Sequence, residues 1–327
     1  MEPSGIVAQC LKEALANAQV TDICVNGSSG VYIDQGFGMQ PLSPPYSTKD
    51  FTQEQVREWV LDQLTSVGKT WDARHPFVDA SLPSGHRLHV AFPPLSQQGI
   101  LISLRKIPVS NPNVPRQSGI KLARNRWASS PLFERLLEIV QSGDSILLSG
   151  ATGSGKTTLA NDLLSAVPES ERIIALEDTR ELAPAHPHFV SLNSRPANAD
   201  GFGEVTLRTL LRQTLRMRPD RIILGECRGA EVLELLQALN TGHRGAMATL
   251  HANSPREALR RIELLCLIAS SGSVPIPCIR ELLAVGVQWI AQVKRLSEGR
   301  RIQELWKIEG REGDTILLRQ VLGSTLP

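Results

Sequence analysis

The sequence predicts a two-domain α/β protein, in which a smaller α/β N-terminal domain precedes a larger one built on a mostly parallel sheet with helices on both faces. Three observations predict it. A chain of 327 residues is long enough for two ordinary cores. Pro108, Asn111, Pro112, Asn113, Pro115 and Gly119 fall close together with little apolar content, the profile of an exposed linker. After that break, strand-like runs alternate with helical ones, which argues for parallel strands covered on both sides. The expected boundaries are 1–107 for the N-terminal domain, 108–120 for the linker and 121–327 for the second domain.

In the first domain, Ile6, Val7, Cys10, Leu11, Ala14 and Leu15 recur at three and four, as in an amphipathic helix. Two β-type runs follow, Asp22 to Asn26 and Gly30 to Asp34, and Gly27-Ser28-Ser29 between them reads as a hairpin turn. Thr52-Gln53-Glu54-Gln55 has capping-box spacing and opens a helix for which Gly68 is a C-terminal stop. Further strands are expected at Arg87 to Phe92 and Ile100 to Arg105.

In the second domain, strands are expected at Ser145 to Leu148, Ile173 to Leu176, Ile222 to Leu224 and Ala246 to Leu250. Helices are expected from Lys156, around Thr206 to Met217 and from Ala230. Ser254-Pro255-Arg256-Glu257 combines an N-cap serine, proline at the first helical position and glutamate at the third, so another helix starts there. The β-type runs Trp289 to Val293, Ile302 to Trp306 and Thr315 to Leu318 are expected to add antiparallel strands.

Bulk composition narrows the class. With 41% hydrophobic and 21% charged residues and a formal net charge of +2, the chain has a globular balance, and global charge selects no partner. Cys10, Cys24, Cys227, Cys266 and Cys278 are scattered and form no C-x-x-C pair, so neither a disulfide framework nor a zinc site is suggested. No apolar run approaches the roughly 20 residues that cross a bilayer. The N-terminus also lacks a basic segment followed by a hydrophobic core, so a soluble cytoplasmic chain is expected.

The most informative stretch is "LLSGATGSGKTT", Leu147 to Thr158. Gly150, Ala151, Thr152, Gly153, Ser154, Gly155, Lys156, Thr157 and Thr158 carry phosphate-loop spacing between an expected strand and an expected helix, the context the motif requires. Glycines let backbone N–H groups close around phosphate oxygens, and the helix N-terminus adds its positive end. Lys156 neutralises β/γ charge, and Thr157 offers a hydroxyl to Mg²⁺. Such a loop binds a nucleoside triphosphate but does not say what the nucleotide drives.

Two acidic clusters are placed to complete a hydrolytic site. "IIALEDTREL" sets Glu177, Asp178 and Glu181 just after an apolar strand, and "RIILGECRG" sets Glu226 at the end of another. In sheets of this kind the carboxyl ends of the strands gather ligand groups. A carboxylate at 226 suits Mg²⁺ held through its water shell, and one at 177 suits the positioning or deprotonation of the attacking water. Gly225 stands where an aspartate often precedes the metal-directed acid. Glu181 remains open between a site acid and an exposed charge.

"GHRGAMATLHANSP" adds His243 and His251 on either side of one strand-like run, where imidazoles are candidates to feel the γ-phosphate. Arg208, Arg212, Arg216, Arg218, Arg221 and Arg228 lie between the clusters, and 208, 212 and 216 share one helical face. That stripe is a solvated face, a nucleic-acid track or a set of charges for a neighbouring subunit. Aromatic residues make up only 4% of the chain and none interleaves with the stripe, which weakens single-strand binding by stacking.

Taken together, "GATGSGKTT", "ALEDTREL", "LRQTLRMRPDRIILGECRG" and "NTGHRGAMATLHANSPREALRRIE" resemble the Walker A, Asp-box, Walker B and His-box motifs of the type II/IV secretion-system ATPases. The likeness is greatest to the CpaF/TadA branch of tight-adherence pilus motors. "VDASLPSGHRLHVAFPPL" and "ISLRKI" are similar to the nucleotide-facing edge of that family's first domain. The resemblance implies a RecA-like P-loop NTPase C-terminal domain, the cofactors ATP and Mg²⁺, and a homohexamer with nucleotide between domains and neighbouring subunits. It implies that Gly150 to Thr158 bind phosphate, that Glu177 and Glu226 serve hydrolysis and Mg²⁺, and that His243 and His251 form the His box. Arg87 and Arg105 become candidates to reach the nucleotide from the N-terminal domain. The tetracysteine zinc site of some type II relatives is missing.

The function this implies is a cytoplasmic ATPase at the inner face of the membrane, driving pilus assembly or secretion through an inner-membrane platform protein, with no direct membrane span. The alternative is a conjugation-type ATPase of a DNA-transfer or type IV secretion apparatus, and direct nucleic-acid binding is not expected. A kinase or GTPase would use the same loop, but there is no N-K-x-D signature and a kinase leaves the His box unexplained. The intact lysine and acids argue against a degenerate, non-hydrolysing component.

Overall fold

The computed structural model describes residues 5–17, 19–36, 38–42, 52–72, 76–107, 116–128, 130–197, 202–296 and 299–323. The chain divides into two compact units, residues 1–109 and 110–327. The part of the expected linker at 108–115 lies outside the described residues. Its end is corrected, because a helix already begins at Arg116.

The first unit is an antiparallel sheet with two helices, α1 (Ile6–Ala16) and α2 (Gln53–Ser66). Its six strands are β1 (Asp22–Asn26), β2 (Val31–Asp34), β3 (Met39–Pro41), β4 (Phe77–Ser81), β5 (Arg87–Ala91) and β6 (Leu101–Arg105), in the order β3-β2-β1-β6-β5-β4. Alternation places Ile23, Val25, Leu88, Val90, Ile102 and Leu104 inward, where they share a core with Val7, Leu11, Val56 and Val60 of the helices. Thr52 and Gln55 form the reciprocal capping box, each backbone N–H reaching the other's side chain at 3.3 Å. The sequence pattern missed β3, whose three residues are all exposed, and β4, where Val78 and Ala80 are the buried pair.

The second unit begins with α3 (Arg116–Arg126) and α4 (Leu132–Ser142). The strands β7 (Ile146–Ser149), β8 (Ile173–Glu177), β9 (Phe189–Asn193), β10 (Arg221–Leu224), β11 (Met247–Leu250), β12 (Trp289–Leu296), β13 (Gly299–Glu312) and β14 (Thr315–Gly323) form one sheet in the order β14-β13-β12-β7-β11-β10-β8-β9. Helices α5 (Lys156–Leu164), α6 (Leu207–Thr214), α7 (Glu231–Asn240), α8 (Pro255–Ala269) and α9 (Ile276–Gly286) complete it. Every residue of β7, β8, β10 and β11 is buried, as expected for strands covered on both faces. Alternate residues feed two cores: Ile146, Leu148, Ile173, Ala175 and Ile223 pack with α3, α4 and α5, while Leu147, Ile174, Leu176, Ile222 and Leu224 pack with α6 to α9.

One expectation is overturned. The run from Trp289 pairs parallel, not antiparallel, to β7, with Trp289 opposite Ile146 and Gln292 opposite Ser149. The reason is α9, unmarked in the sequence reading, which returns the chain to the start of the sheet before β12. The expected antiparallel pairing holds between β12 and β13 and between β13 and β14, so β13 alone opposes the direction of the other strands in this sheet. The edge strand β9, parallel to β8, was also unexpected.

Candidate nucleotide site

The parallel strands bring their carboxyl ends together, and the chemistry-bearing residues collect there. β7 ends at Ser149 and turns into the loop that starts α5. Gly153 and Gly155 hold φ of 71° and 101°, left-handed values that favour glycine. At Gly150 a Cβ would lie 2.4 Å from the Val293 carbonyl oxygen, so only glycine fits under β12. Ala151, Thr152 and Gly153 are exposed along the loop, and Thr157 and Thr158 stand half-buried in the first turn of α5.

Lys156 is buried, and its Nζ donates to the carbonyls of Gly150 at 2.8 Å and Ala151 at 2.9 Å. Burial pushes the ammonium down to about 8, against the pull of Glu226 and Glu181. Ser154 Oγ is buried without a hydrogen-bond partner. An orphaned hydroxyl, left-handed glycines and the leading N–H groups of a helix are the donor set that polyphosphate requires, so the residues present fit ATP.

The acids of the 177–181 segment divide differently from the expectation. Glu177 is 2% exposed at the end of β8. Its Oε1 accepts the backbone N–H groups of Glu181 and Leu182, each at 2.8 Å, and its Oε2 accepts the Ser191 hydroxyl at 3.1 Å. Burial pushes its carboxyl up to about 7, although those donors pull the other way. The carboxylate expected to meet water is therefore spent inside the protein. Glu181 is the acid on the loop side, taking the Thr157 hydroxyl at 3.2 Å. One turn along α5, Asn161 accepts from the Ala183 N–H at 2.7 Å and donates to the Glu181 carbonyl at 3.3 Å, which fastens the acidic segment to the helix. This pairing of α5 with 181–183 was not readable from spacing.

Glu226 follows β10 and is gripped from two sides. Arg228 Nη2 pairs with its Oε2, and His251 Nε2 lies 2.8 Å from its Oε1. His251, at the end of β11, also sets Nδ1 3.5 Å from the Thr152 hydroxyl, linking the acid to the phosphate loop. With Nε2 donating to Glu226, Nδ1 is left as the acceptor. Burial and Lys156 hold its pKa below the ordinary histidine value, in part against Glu226. Gly225 has a packing reason: a Cβ there would lie 2.8 Å from Glu177 Cγ.

His243 is not brought to the loop within one chain. It precedes β11, whereas His251 follows it, and a four-residue strand spans roughly 13 Å. Within one chain His243 therefore lies before the amino-terminal end of β11, away from the end that meets the loop, its backbone N–H on the Ala238 carbonyl at 3.2 Å. Both histidines flank the strand, but only His251 joins the site.

The arginine stripe also changes meaning. Arg208 and Arg212 of α6 converge on one oxygen of buried Glu234 in α7, at 2.6 and 2.7 Å. Arg216 reaches the Arg212 carbonyl at 3.3 Å, Arg218 pairs with Asp220 at 3.6 Å, and buried Arg221 pairs with Glu171. In the first unit, Arg87 and Arg105 face each other across β5 and β6, and Arg105 Nε donates to Asp22 at 2.9 Å.

Mg²⁺ demands few protein ligands and keeps much of its water. Among the described residues no group of three or more His, Cys, Asp or Glu side chains forms a metal cage. A hydroxyl at Thr157 with the carboxylate of Glu226 fits such a lightly held ion.

Comparison with known proteins places this geometry. The family model for type II/IV secretion system protein matches residues 8–295. The putative conjugal transfer protein Rv3659c of Mycobacterium tuberculosis is 38% identical over 315 residues, covering 93% of this chain and 86% of the relative. The type IV secretion system protein PtlH of Bordetella pertussis is 32% identical over 335 residues, covering 92% and 94%. Among solved structures, the Legionella pneumophila ATPase DotB shares the fold with a TM-score of 0.59 at 17% identity, covering 92% of this chain and 81% of that one.

Proposed function

The chain belongs to the type II/IV secretion system protein family and is an ATPase, and on that premise we propose that it is the ATP-hydrolysing subunit of a type IV secretion or conjugation apparatus. The conjugation-type alternative is preferred to a tight-adherence pilus motor because the relatives at 38% and 32% identity are conjugal transfer and type IV secretion proteins. The observation that carries the mechanism is the pair of carboxylates flanking the loop, Glu181 on Thr157 and Glu226 on His251.

In this reading the loop N–H groups and Lys156 hold the β- and γ-phosphates, and Thr157 and Glu226 hold Mg²⁺, which when bound neutralises charge developing on the phosphoryl oxygens. Glu181 takes the role that spacing gave to Glu177: it orients the attacking water and accepts its proton as the γ-phosphorus to bridging-oxygen bond breaks. Glu177 holds the segment that presents Glu181. His251 links Glu226 to Thr152 and so couples the acid to what lies in the loop.

The assembly is proposed as a homohexamer in which Arg87, Arg105 and His243 approach the nucleotide of a neighbouring subunit. Its partner is an inner-membrane platform protein, and its place is the cytoplasmic face of that membrane. Among the described residues no helix is long and apolar enough to cross a membrane. Direct nucleic-acid contact is not part of the proposal, since Arg208 and Arg212 are engaged by Glu234.

The test is the ATPase rate per subunit, with Mg²⁺, across a wide range of protein concentration. A rate that climbs with concentration supports sites completed between subunits. A flat rate from a monomeric protein overturns the ring and leaves a self-sufficient ATPase.

A further inference from the structure

We propose that the β12–β13 hairpin is a cationic strap for the nucleotide's phosphates, with Arg295 and Arg300 of the same chain acting as phosphate-binding residues. The proposal rests on the loop being a nucleotide site and adds two residues to it that no motif names.

The topology delivers the hairpin to the loop. β12 pairs with β7 as far as Gln292 opposite Ser149, where β7 ends and the loop begins. β12 continues through Val293, Lys294, Arg295 and Leu296, and β13 returns through Gly299, Arg300 and Arg301. The extension therefore overhangs the loop. Three glycines show how closely it approaches. The Val293 carbonyl lies 2.4 Å from the position of a Cβ at Gly150, Arg300 Cδ lies 2.6 Å from that at Gly155, and an Arg295 guanidinium nitrogen lies 3.9 Å from that at Gly153. Arg300 Nε also donates to the Gly153 carbonyl at 3.4 Å. The two glycines that shape the loop are thus the surface on which the two arginines rest.

Charge gives the arrangement its meaning. Arg295 faces Arg300 across the hairpin, and Lys294 faces Arg301. Both Arg295 and Arg300 are exposed beside the loop whose backbone suits polyphosphate. Guanidinium is the group best matched to phosphate oxygens, by charge and by its planar fork of donors. The chemical class recognised is the polyphosphate of a nucleoside di- or triphosphate, not its base.

The experiment measures binding, with MgADP and inorganic pyrophosphate as separate probes, to the full chain and to Arg295→Gln, Arg300→Gln, the double variant, Arg300→Lys and Lys156→Ala. Each single arginine variant is expected to weaken both probes by about tenfold, the double variant by more, and Arg300→Lys to recover part of the loss. The salt dependence of pyrophosphate binding is expected to become shallower in the double variant. Unchanged pyrophosphate affinity in the double variant overturns the proposal, and it does so even if MgADP is weakened, which would mark a contact to the base. If Lys156→Ala loses both probes while the double variant matches the parent, the strap falls and the nucleotide site stands. If the parent binds neither probe, the nucleotide-site reading falls and takes the strap with it.

Discussion

The backbone N–H of Glu181 donates to Oε1 of buried Glu177 at 2.8 Å, so one acid of the "EDTRE" stretch holds the other in place. The same oxygen takes the Leu182 N–H, which bends the chain after β8 back toward α5. Glu181 then meets Thr157, the residue after the loop lysine. Two glutamates four positions apart thereby acquire different work, one buried and structural in its contacts, the other beside the phosphate loop.

Hydrolysis should separate the two. Glu181→Gln removes a base next to the site and is expected to lower kcat by about a hundredfold or more, with MgADP affinity retained. Glu177→Gln keeps an oxygen for the two N–H groups and is expected to lose less than about tenfold. Equal loss in both variants, with unchanged circular dichroism, would return the water-activating role to Glu177.

Glu177 also makes stability depend on pH. Its folded-state pKa is raised to about 7 from 4.5, so between those values the folded protein binds a proton that the unfolded chain has released. Stability from this group is full below about pH 4.5 and declines as pH rises to about 7. The total is on the order of 3 kcal/mol. Urea unfolding at pH 5 and pH 8 should show a drop in the parent that Glu177→Gln largely lacks.

Lys156 predicts a second pH effect, on affinity. Its pKa is lowered to about 8, so in the free protein its charge is lost as pH rises through that value. Phosphate restores the charge on binding, and a proton must then be taken up. Affinity for MgADP is expected to fall by up to about tenfold per pH unit above 8 until the bound lysine itself titrates. Calorimetry between pH 7 and 9.5, in buffers of different ionisation enthalpy, would detect that proton uptake; a flat profile would show the lysine charged throughout.

The parts of this architecture that were legible are those written in local spacing. Gly150 to Thr157 is a local device, and Ser254 caps α8 by accepting from the Glu257 N–H at 3.3 Å, as its four-residue signature requires. The near-continuous apolar runs of β7, β8 and β10 report burial on two faces. What spacing cannot carry is direction. His243 and His251 lie on either side of β11 in sequence, yet a strand has two ends and only one lies at the loop. Nor does it carry depth: Glu177 and Glu181 look alike until the sheet buries the first. Gly225 is explained only by its neighbour across the sheet, and β12 is parallel to β7 after a crossover through α8 and α9 of which only α8 was marked by its cap. Leu132, Phe133, Leu136, Leu137, Ile139 and Val140 of α4 form a three-and-four pattern, so this helix, left unplaced by the sequence reading, could have been found from spacing.

The structure narrows the three readings of the arginine stripe. Arg208 and Arg212 are 38% and 57% exposed in their side chains, but the Glu234 carboxylate they share is 8% exposed. A buried carboxylate without partners is costly, whereas exposed guanidinium groups lose little on their own. Replacing both arginines by alanine should therefore destabilise the second unit by about 2 kcal/mol, discounted for the solvent around the arginines. Adding Glu234→Gln to that double variant should recover much of the loss, since the uncompensated charge disappears. If the stripe were instead a nucleic-acid track, the double variant would retain its unfolding midpoint and lose a salt-dependent affinity for DNA. Denaturant titration of the three proteins beside a low-salt DNA retardation assay decides between the two, because an α6–α7 clasp moves the first readout and a DNA track moves the second.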